Sequence, residues 1–139
     1  MRSVVIGASG QVGALLHNSA PAEESCLGTY YQHPMPGLLP LDLRDSSAVK
    51  KLLREVRPEV CYLPGALTYV DYAESHPKEC RQINIEGVSH VARAMAETHG
   101  RLAYFSTEHV FGESSTPWKE DDSVSPKSVY AKSKVEAEL

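Results

Sequence analysis

The chain has 139 residues, 42% of them apolar and 23% charged, which is the make-up of one ordinary globular domain and excludes a disordered or fibrous chain. With 14 Lys and Arg against 18 Asp and Glu the net charge is −4, so the basic face that a nucleic-acid binder needs is missing. No apolar run approaches the roughly 18 residues of a membrane span, and the N-terminus reads as a strand and a glycine turn rather than as a signal peptide.

Short apolar runs alternate with longer helical stretches. Ser3 to Gly7 predicts a first strand, and Gly10 to about Ser19 a helix with Val12, Leu15 and Leu16 on its apolar face. Ser25 to Gln32 predicts a second strand, closed by the turn residues His33-Pro34-Met35-Pro36-Gly37, and Leu38 to Leu41 a short third. Asp45 or Ser46 caps a helix that runs to Arg57 and stops at Pro58. Val60 to Leu63 is a fourth strand, followed by a loop holding Pro64, Gly65 and Ala66. Glu79 to Thr98 predicts one long helix with Ile83, Val88, Val91, Ala92 and Met95 at helical spacing, and Gly100 fits the position past its end. Leu102 to Ser106 is a fifth strand, Glu113 to Lys127 a polar loop, and Val129 to Leu139 a final helix. Strands alternating with helices of this length imply right-handed β-α-β units, an α/β fold with a doubly wound parallel sheet of Rossmann type and about five strands. Ligands of such sheets bind off the carboxyl ends of the strands, where the strand order reverses.

Two patterns carry chemistry. Gly7, Gly10 and Gly13 fall in a G-x-x-G-x-x-G turn between the first strand and the first helix. The first glycine permits a tight turn, the second lets backbone N–H groups approach a pyrophosphate, and the third lets helix and strand pack closely. That arrangement predicts a dinucleotide, NAD or NADP. An acid for the ribose hydroxyls is missing from the end of the second strand, Thr29-Tyr30-Tyr31-Gln32-His33, which tilts the choice slightly to NADP. No Arg or Lys lies between Arg2 and Arg44, and Arg44 reaches a phosphate only if its loop folds inward. The second pattern is Tyr130-Ala131-Lys132-Ser133-Lys134, which puts Tyr130 and Lys134 on one helix face. A nearby ammonium lowers a phenol pKa from about 10, and bringing it towards 7 takes about 4 kcal/mol. Such a tyrosine exchanges a proton with a carbonyl while hydride moves. A hydroxyl partner is expected at the end of the fifth strand, where Ser106 and Thr107 stand.

With these residues in hand, the sequence resembles the extended short-chain dehydrogenase/reductase family, and within it the dTDP-4-dehydrorhamnose reductase branch. The resemblance rests on GASGQVG (Gly7 to Gly13), LDL (Leu41 to Leu43), ALTYVDYAE (Ala66 to Glu74), INIEG (Ile83 to Gly87), FSTEHVF (Phe105 to Phe111), PWKE (Pro117 to Glu120) and YAKSK (Tyr130 to Lys134). It implies NAD(P)H-dependent reduction of a nucleotide-linked 4-keto sugar. Tyr130 is then the proton donor, Lys134 its partner and a ribose ligand, and Thr107 the hydroxyl that aids the carbonyl. Gly10, Gln11 and Val12 match the pyrophosphate contact, Asp42 and Leu43 the adenine contact, and Pro64, Gly65 and Ala66 the segment along the cofactor. Tyr30 and Ser106 are placed along the cofactor as well, and Glu108 towards the sugar. There are departures: Leu63-Pro64-Gly65-Ala66 stands where the family often has Asn-Ala-Ala-Ala, Glu108 replaces the usual Asp, and His109 replaces a phenol.

Other residues read more plainly. Asp71 and Glu74 fit a helix capping box. Asn84 either ties its helix to the active-site strand or is solvated. His109 reads as packing, and Trp118 as either a substrate cover or local packing. Cys26, Cys61 and Cys80 are an odd number without metal spacing, as expected of reduced thiols in a cytoplasmic protein, and no metal site is expected. The partner implied is a nucleotide sugar, with no nucleic acid and no membrane, and homo-oligomerisation stays open. Two alternatives remain: a nucleotide-sugar epimerase, and a non-catalytic regulatory subunit like the beta subunit of methionine adenosyltransferase, which resembles the same branch. With five residues after Lys134, residues 1–139 are expected to be the dinucleotide-binding half of a larger reductase-type protein, lacking the substrate-binding region.

Overall fold

In the computed structural model, which describes residues 1–139, β1 (Arg2–Val5) lies between β2 (Ser25–Tyr30) and β4 (Val60–Leu63). β3 (Leu39–Pro40) extends the sheet beyond β2, and β5 (Arg101–Tyr104) beyond β4. Every pairing is parallel, with Val4 in register with Leu27 on one side and Cys61 on the other, and Cys61 with Leu102. Val4, Val5, Cys61 and Leu63 are fully buried, as continuous apolar strands covered on both faces must be.

The faces are assigned by alternation along β2. Leu27 packs into the core formed with α2 (Ser46–Val56) and α5 (Gly87–Glu97), while Gly28 turns to Ala8 and to His17 of α1 (Gln11–Asn18). Helices therefore cover both faces, and the fold is the doubly wound parallel sheet expected. The main core joins Val4, Ile6, Cys61 and Leu63 to Val49 and Leu53 of α2 and to Val88, Val91, Ala94 and Met95 of α5. The Asp45 carboxylate caps α2 by accepting from Ala48 N–H at 3.0 Å. The helix ends at Arg57, whose φ of 47° is left-handed, and Pro58 follows.

Several expectations are corrected. The predicted apolar face of α1 is not buried: Val12 is 46% and Leu15 67% exposed. Gly13 faces the sheet instead, because only there does the helix backbone come close to the glycine turn, which rotates Val12 and Leu15 outward. The long helix is interrupted: α4 (Pro77–Arg81) passes into a π-helical turn, Gln82–Glu86, before α5 begins. The buried stripe of α5 uses Ala94, three and six residues on from Val91 and Val88, while Ala92 is exposed. His99, not Gly100, takes the left-handed position after α5, with φ 57°. Gly100 is required by space, since a Cβ there would lie 2.5 Å from Pro58 O.

A short helix whose bounds were not predicted, α3 (Val70–Ser75), follows β4, and a single 3-10 turn, Glu108–Val110, follows β5. The capping box is also corrected. Asp71 sits inside the first turn of α3 after an uncapped Tyr69, so it cannot be the cap. Glu74 instead accepts the Val129 N–H at 2.6 Å, and Ser128 accepts from Ala131 N–H at 3.0 Å; together they start α6 (Val129–Glu138). β1, β2 and β5 each end two residues earlier than expected, which frees Gly7, Tyr31 and Phe105 to Thr107 from the ladder for the site. No helix is long and apolar enough to cross a membrane.

Candidate functional site

The strand order reverses between β1 and β4, and there the turns after the two strands touch. Gly65 N–H donates to Ile6 O at 3.0 Å. Gly7 has φ 94°, and a Cβ on it would lie 2.8 Å from Gly65 Cα. A Cβ on Gly13 would lie 2.1 Å from Gly7 O, so helix and turn meet at backbone distance. Gly10 begins α1 without a side-chain cap, and the first helical bond is from Ala14 N–H to Gly10 O. The N–H groups of Gln11, Val12 and Gly13 are thus left for an anion at the positive end of the helix.

These residues form one wall of a groove of about 830 Å³. Tyr30, Asp42, Leu43, Pro64, Gly65 and Ala66 line it too, so the sequence-predicted cofactor residues from the first four strands are brought together. The glycine cradle, the unclaimed N–H groups and the groove volume fit a dinucleotide. At the far end, Arg44 has folded back. Its Nε donates to both oxygens of Asp42 at 3.0 Å, and one terminal nitrogen donates to Asp42 Oδ2 at 2.7 Å and to the Tyr31 hydroxyl. The guanidinium holds the Asp42 carboxyl below the usual carboxylate range.

Ser106, Thr107, Tyr130 and Lys134 do not line this groove. They lie past Leu67, which lines the groove and packs against the cluster of Ala73, Cys80 and Tyr130. Tyr130 and Lys134 share the inner face of α6, 8% and 3% exposed. The Lys134 ammonium donates to the Phe105 carbonyl and stands 4.1 Å above the Tyr104 ring. Burial brings its pKa down to about 8, with Glu138 opposing the shift. Burial pushes the Tyr130 phenol above its ordinary value, the Thr107 hydroxyl nearby works against the rise, and the Glu108 charge adds to it. The expectation that Lys134 lowers this pKa is therefore not met: the ammonium is committed to Phe105 and Tyr104, and desolvation of the phenol dominates. Ser106 is bonded to Glu138 at the end of α6. Glu108 is exposed, and His109 packs edge-on to Tyr130 with ring centroids 6.2 Å apart. Trp118 stacks on Phe111 within its own loop.

Asn84 joins these parts. It is 1% exposed at the centre of the π turn. Its Oδ1 accepts from Leu67 N–H at 2.8 Å, and its Nδ2 donates to Leu67 O and to Ser133 Oγ, each at 3.0 Å. One side chain thus fixes the loop after β4 to the Tyr130 helix: Asn84 is not solvated, and its tie runs to this loop and to α6 rather than to the active-site strand. Tyr31, Tyr72 and Glu79 also line the groove and were not singled out from the sequence. Tyr72 and Glu79 come from α3 and α4, and six- and five-residue helices carry too little periodicity to place them.

A glycine turn at the switch point of a parallel sheet, with a Tyr-x-x-x-Lys helix beside the last strand, defines a Rossmann-type fold of the short-chain dehydrogenase/reductase kind. The whole chain, residues 1–139, matches the model of the RmlD substrate binding domain, and it belongs to that family. It is 34% identical over 140 residues to a dTDP-4-dehydrorhamnose reductase of Salmonella typhimurium, covering 99% of this chain and 46% of that protein. It is 30% identical over 138 residues to methionine adenosyltransferase 2 subunit beta of Xenopus tropicalis, covering 99% of this chain and 41% of that protein. The chain thus spans less than half the length of these curated relatives. Among solved structures, a hypothetical dTDP-4-dehydrorhamnose reductase from Sulfolobus tokodaii superposes with a TM-score of 0.94 at 30% identity, covering 99% of this chain and 50% of that one. A dTDP-4-dehydrorhamnose reductase from Bacillus anthracis in complex with NADP superposes with a TM-score of 0.88 at 29% identity, covering 99% and 47%.

Proposed function

We propose that residues 1–139 form the cofactor-binding part of an NAD(P)H-dependent reductase that converts a nucleotide-linked 4-keto sugar to its 4-hydroxy form. The observation that carries this reading is Tyr130 and Lys134 buried one helical turn apart on α6, with the Lys134 ammonium on the carbonyl of Phe105 just after β5. The similarity to the Salmonella reductase supports the substrate class.

In this reading Gly7, Gly10, Gln11, Val12 and Gly13 hold the pyrophosphate by backbone N–H groups. Tyr30, Asp42 and Leu43 hold the adenosine, and Pro64, Gly65, Ala66 and Ser106 flank the remainder. The reduced cofactor, when bound, supplies the hydride. Tyr130 gives its hydroxyl proton to the oxygen of the C4 carbonyl. Burial keeps the phenol neutral near pH 7, which is the state a donor needs. Thr107 donates a second hydrogen bond to the same oxygen. The ammonium of Lys134, held on the Phe105 carbonyl beside the phenol's helix face, binds the cofactor ribose. Glu108 faces the sugar. The nucleotide sugar is the partner, homo-oligomerisation remains open, and three free thiols support a reducing, cytoplasmic setting.

The test is the initial rate of NADH or NADPH oxidation, with dTDP-4-dehydrorhamnose, by the purified whole reductase of which residues 1–139 form the cofactor-binding part. Sugar-dependent oxidation is expected in the wild type, with a loss of about 10²–10⁴-fold in Tyr130→Phe. An unchanged rate in that variant overturns the assignment. A regulatory-subunit reading draws on the Xenopus relative and on the direction of Lys134 away from the phenol. A stable enzyme partner in pull-downs, with no turnover of any keto sugar, would favour it.

A further inference from the structure

The groove ends at the adenosine side in a closed ion network. Arg44 is its only cation. Three of its contacts, at 3.0, 3.0 and 2.7 Å, go to the Asp42 carboxylate. Its other terminal nitrogen lies 3.6 Å from Glu79 Oε1, and Glu79 Oε2 accepts from the Tyr72 hydroxyl at 2.8 Å. The Tyr31 hydroxyl takes a further Arg44 N–H, and the guanidinium carbon is 5.3 Å from the Tyr31 ring centroid. One positive charge thus sits between two negative ones. Asp42 and Glu79 both line the groove, and no Lys or Arg does.

We propose that this network makes the groove select NADH over NADPH, because the one guanidinium at this end is already bound to the Asp42 carboxylate through Nε and one terminal nitrogen and faces Glu79 with the other. This rests on the dinucleotide reading above. A 2′-phosphate adds about −1.5 to −2 charge at pH 7 beside a cluster already at net −1. To clasp it with the Nε edge of the guanidinium, Arg44 would have to leave the carboxylate it holds there with charge-assisted hydrogen bonds. A ribose diol meets no such conflict, since a carboxylate accepts hydroxyl protons. The acid missing after β2 is made up by Asp42, from the segment after β3, and by Glu79, from α4. A reader of β2 alone sees neither.

The experiment is direct binding by the purified protein, with NADH and NADPH titrated by nicotinamide fluorescence and ADP-ribose and its 2′-phosphate by calorimetry. NADH is expected to bind at least about tenfold more tightly than NADPH, and the two nicotinamide-free probes to show the same ratio. In Glu79→Gln, which releases one face of the guanidinium, the ratio is expected to narrow about fivefold. NADPH binding as tightly as NADH in the wild type overturns the inference and leaves the dinucleotide reading standing. An unchanged ratio in Glu79→Gln, with NADH preferred, overturns the role given to the ion network. Binding of none of the four overturns the dinucleotide reading and the inference with it.

Discussion

Asn84→Ala tests how the site is held together. The substitution removes one accepted hydrogen bond at 2.8 Å, two donated to oxygen at 3.0 Å each and a longer one donated to Cys80 Sγ at 3.5 Å. Ser133 keeps its bond to Tyr130 O at 2.7 Å, so the groups left without partners are the N–H and the C=O of Leu67. Each such group costs about 1–3 kcal/mol when it stays dry. Leu67 is half-buried and water can reach it in part, so a net loss of about 2–4 kcal/mol is expected. That corresponds to roughly 6–16 °C in Tm for a domain of this size. Urea unfolding followed by far-ultraviolet circular dichroism measures the loss, and the fluorescence of the single tryptophan, Trp118, reports whether the loop beside the site loosens with it. A variant within about 1 kcal/mol of wild type would refute the view that Asn84 is the tie between the loop and α6.

Further outcomes follow from the same contacts. Gly13→Ala places a Cβ 2.1 Å from Gly7 O, so the variant is expected to lose dinucleotide binding and several °C of Tm; wild-type affinity by fluorescence titration would contradict the close approach. Ser128→Ala removes the α6 cap and is expected to cost about 1 kcal/mol in urea unfolding. Lys134 has a folded pKa of about 8 against 10.5 for the free side chain. Its protonated form is disfavoured on folding, so the unfolded chain binds more protons between those values and stability rises with pH. Burial raises the pKa values of Cys61, Tyr104 and Tyr130 and so opposes this rise, and the Lys134 contribution is read as a difference: from pH 8 to 10 the wild type is expected to gain about 1–2 kcal/mol relative to Lys134→Met, while parallel profiles of the two contradict the burial of the charge.

Much of the fold was legible because its signals are local. β4 carries an unbroken apolar run, Asp45 and Pro58 bracket α2, and the glycine turn follows β1 directly. The two turns that meet at the switch point, Gly7 to Gly13 after β1 and Pro64 to Ala66 after β4, were legible for the same reason. What was missed depends on contacts distant in sequence. Nothing in the sequence near Glu74 shows that it serves the N-terminus of α6, 55 residues away. The apolar spacing of α1 pointed to Val12 and Leu15, but Gly13 decides which side meets the sheet. The π turn leaves no mark in the pattern, yet it seats Asn84 between Leu67 and Ser133. The direction of the Tyr130 pKa shift was missed because helical spacing puts Tyr130 and Lys134 on one face without saying which oxygen the ammonium chooses.

The central claim is that Tyr130 protonates a C4 carbonyl oxygen while hydride reaches C4. The most direct measurement is the fate of deuterium from 4-deuterated NADH or NADPH incubated with the purified whole reductase and dTDP-4-dehydrorhamnose, read by mass spectrometry and NMR of the sugar. The account predicts one deuterium on C4 of a 4-hydroxy product, formed about 10²–10⁴-fold more slowly by Tyr130→Phe. Label that stays on the cofactor, or incorporation unaffected by Tyr130→Phe, would contradict it.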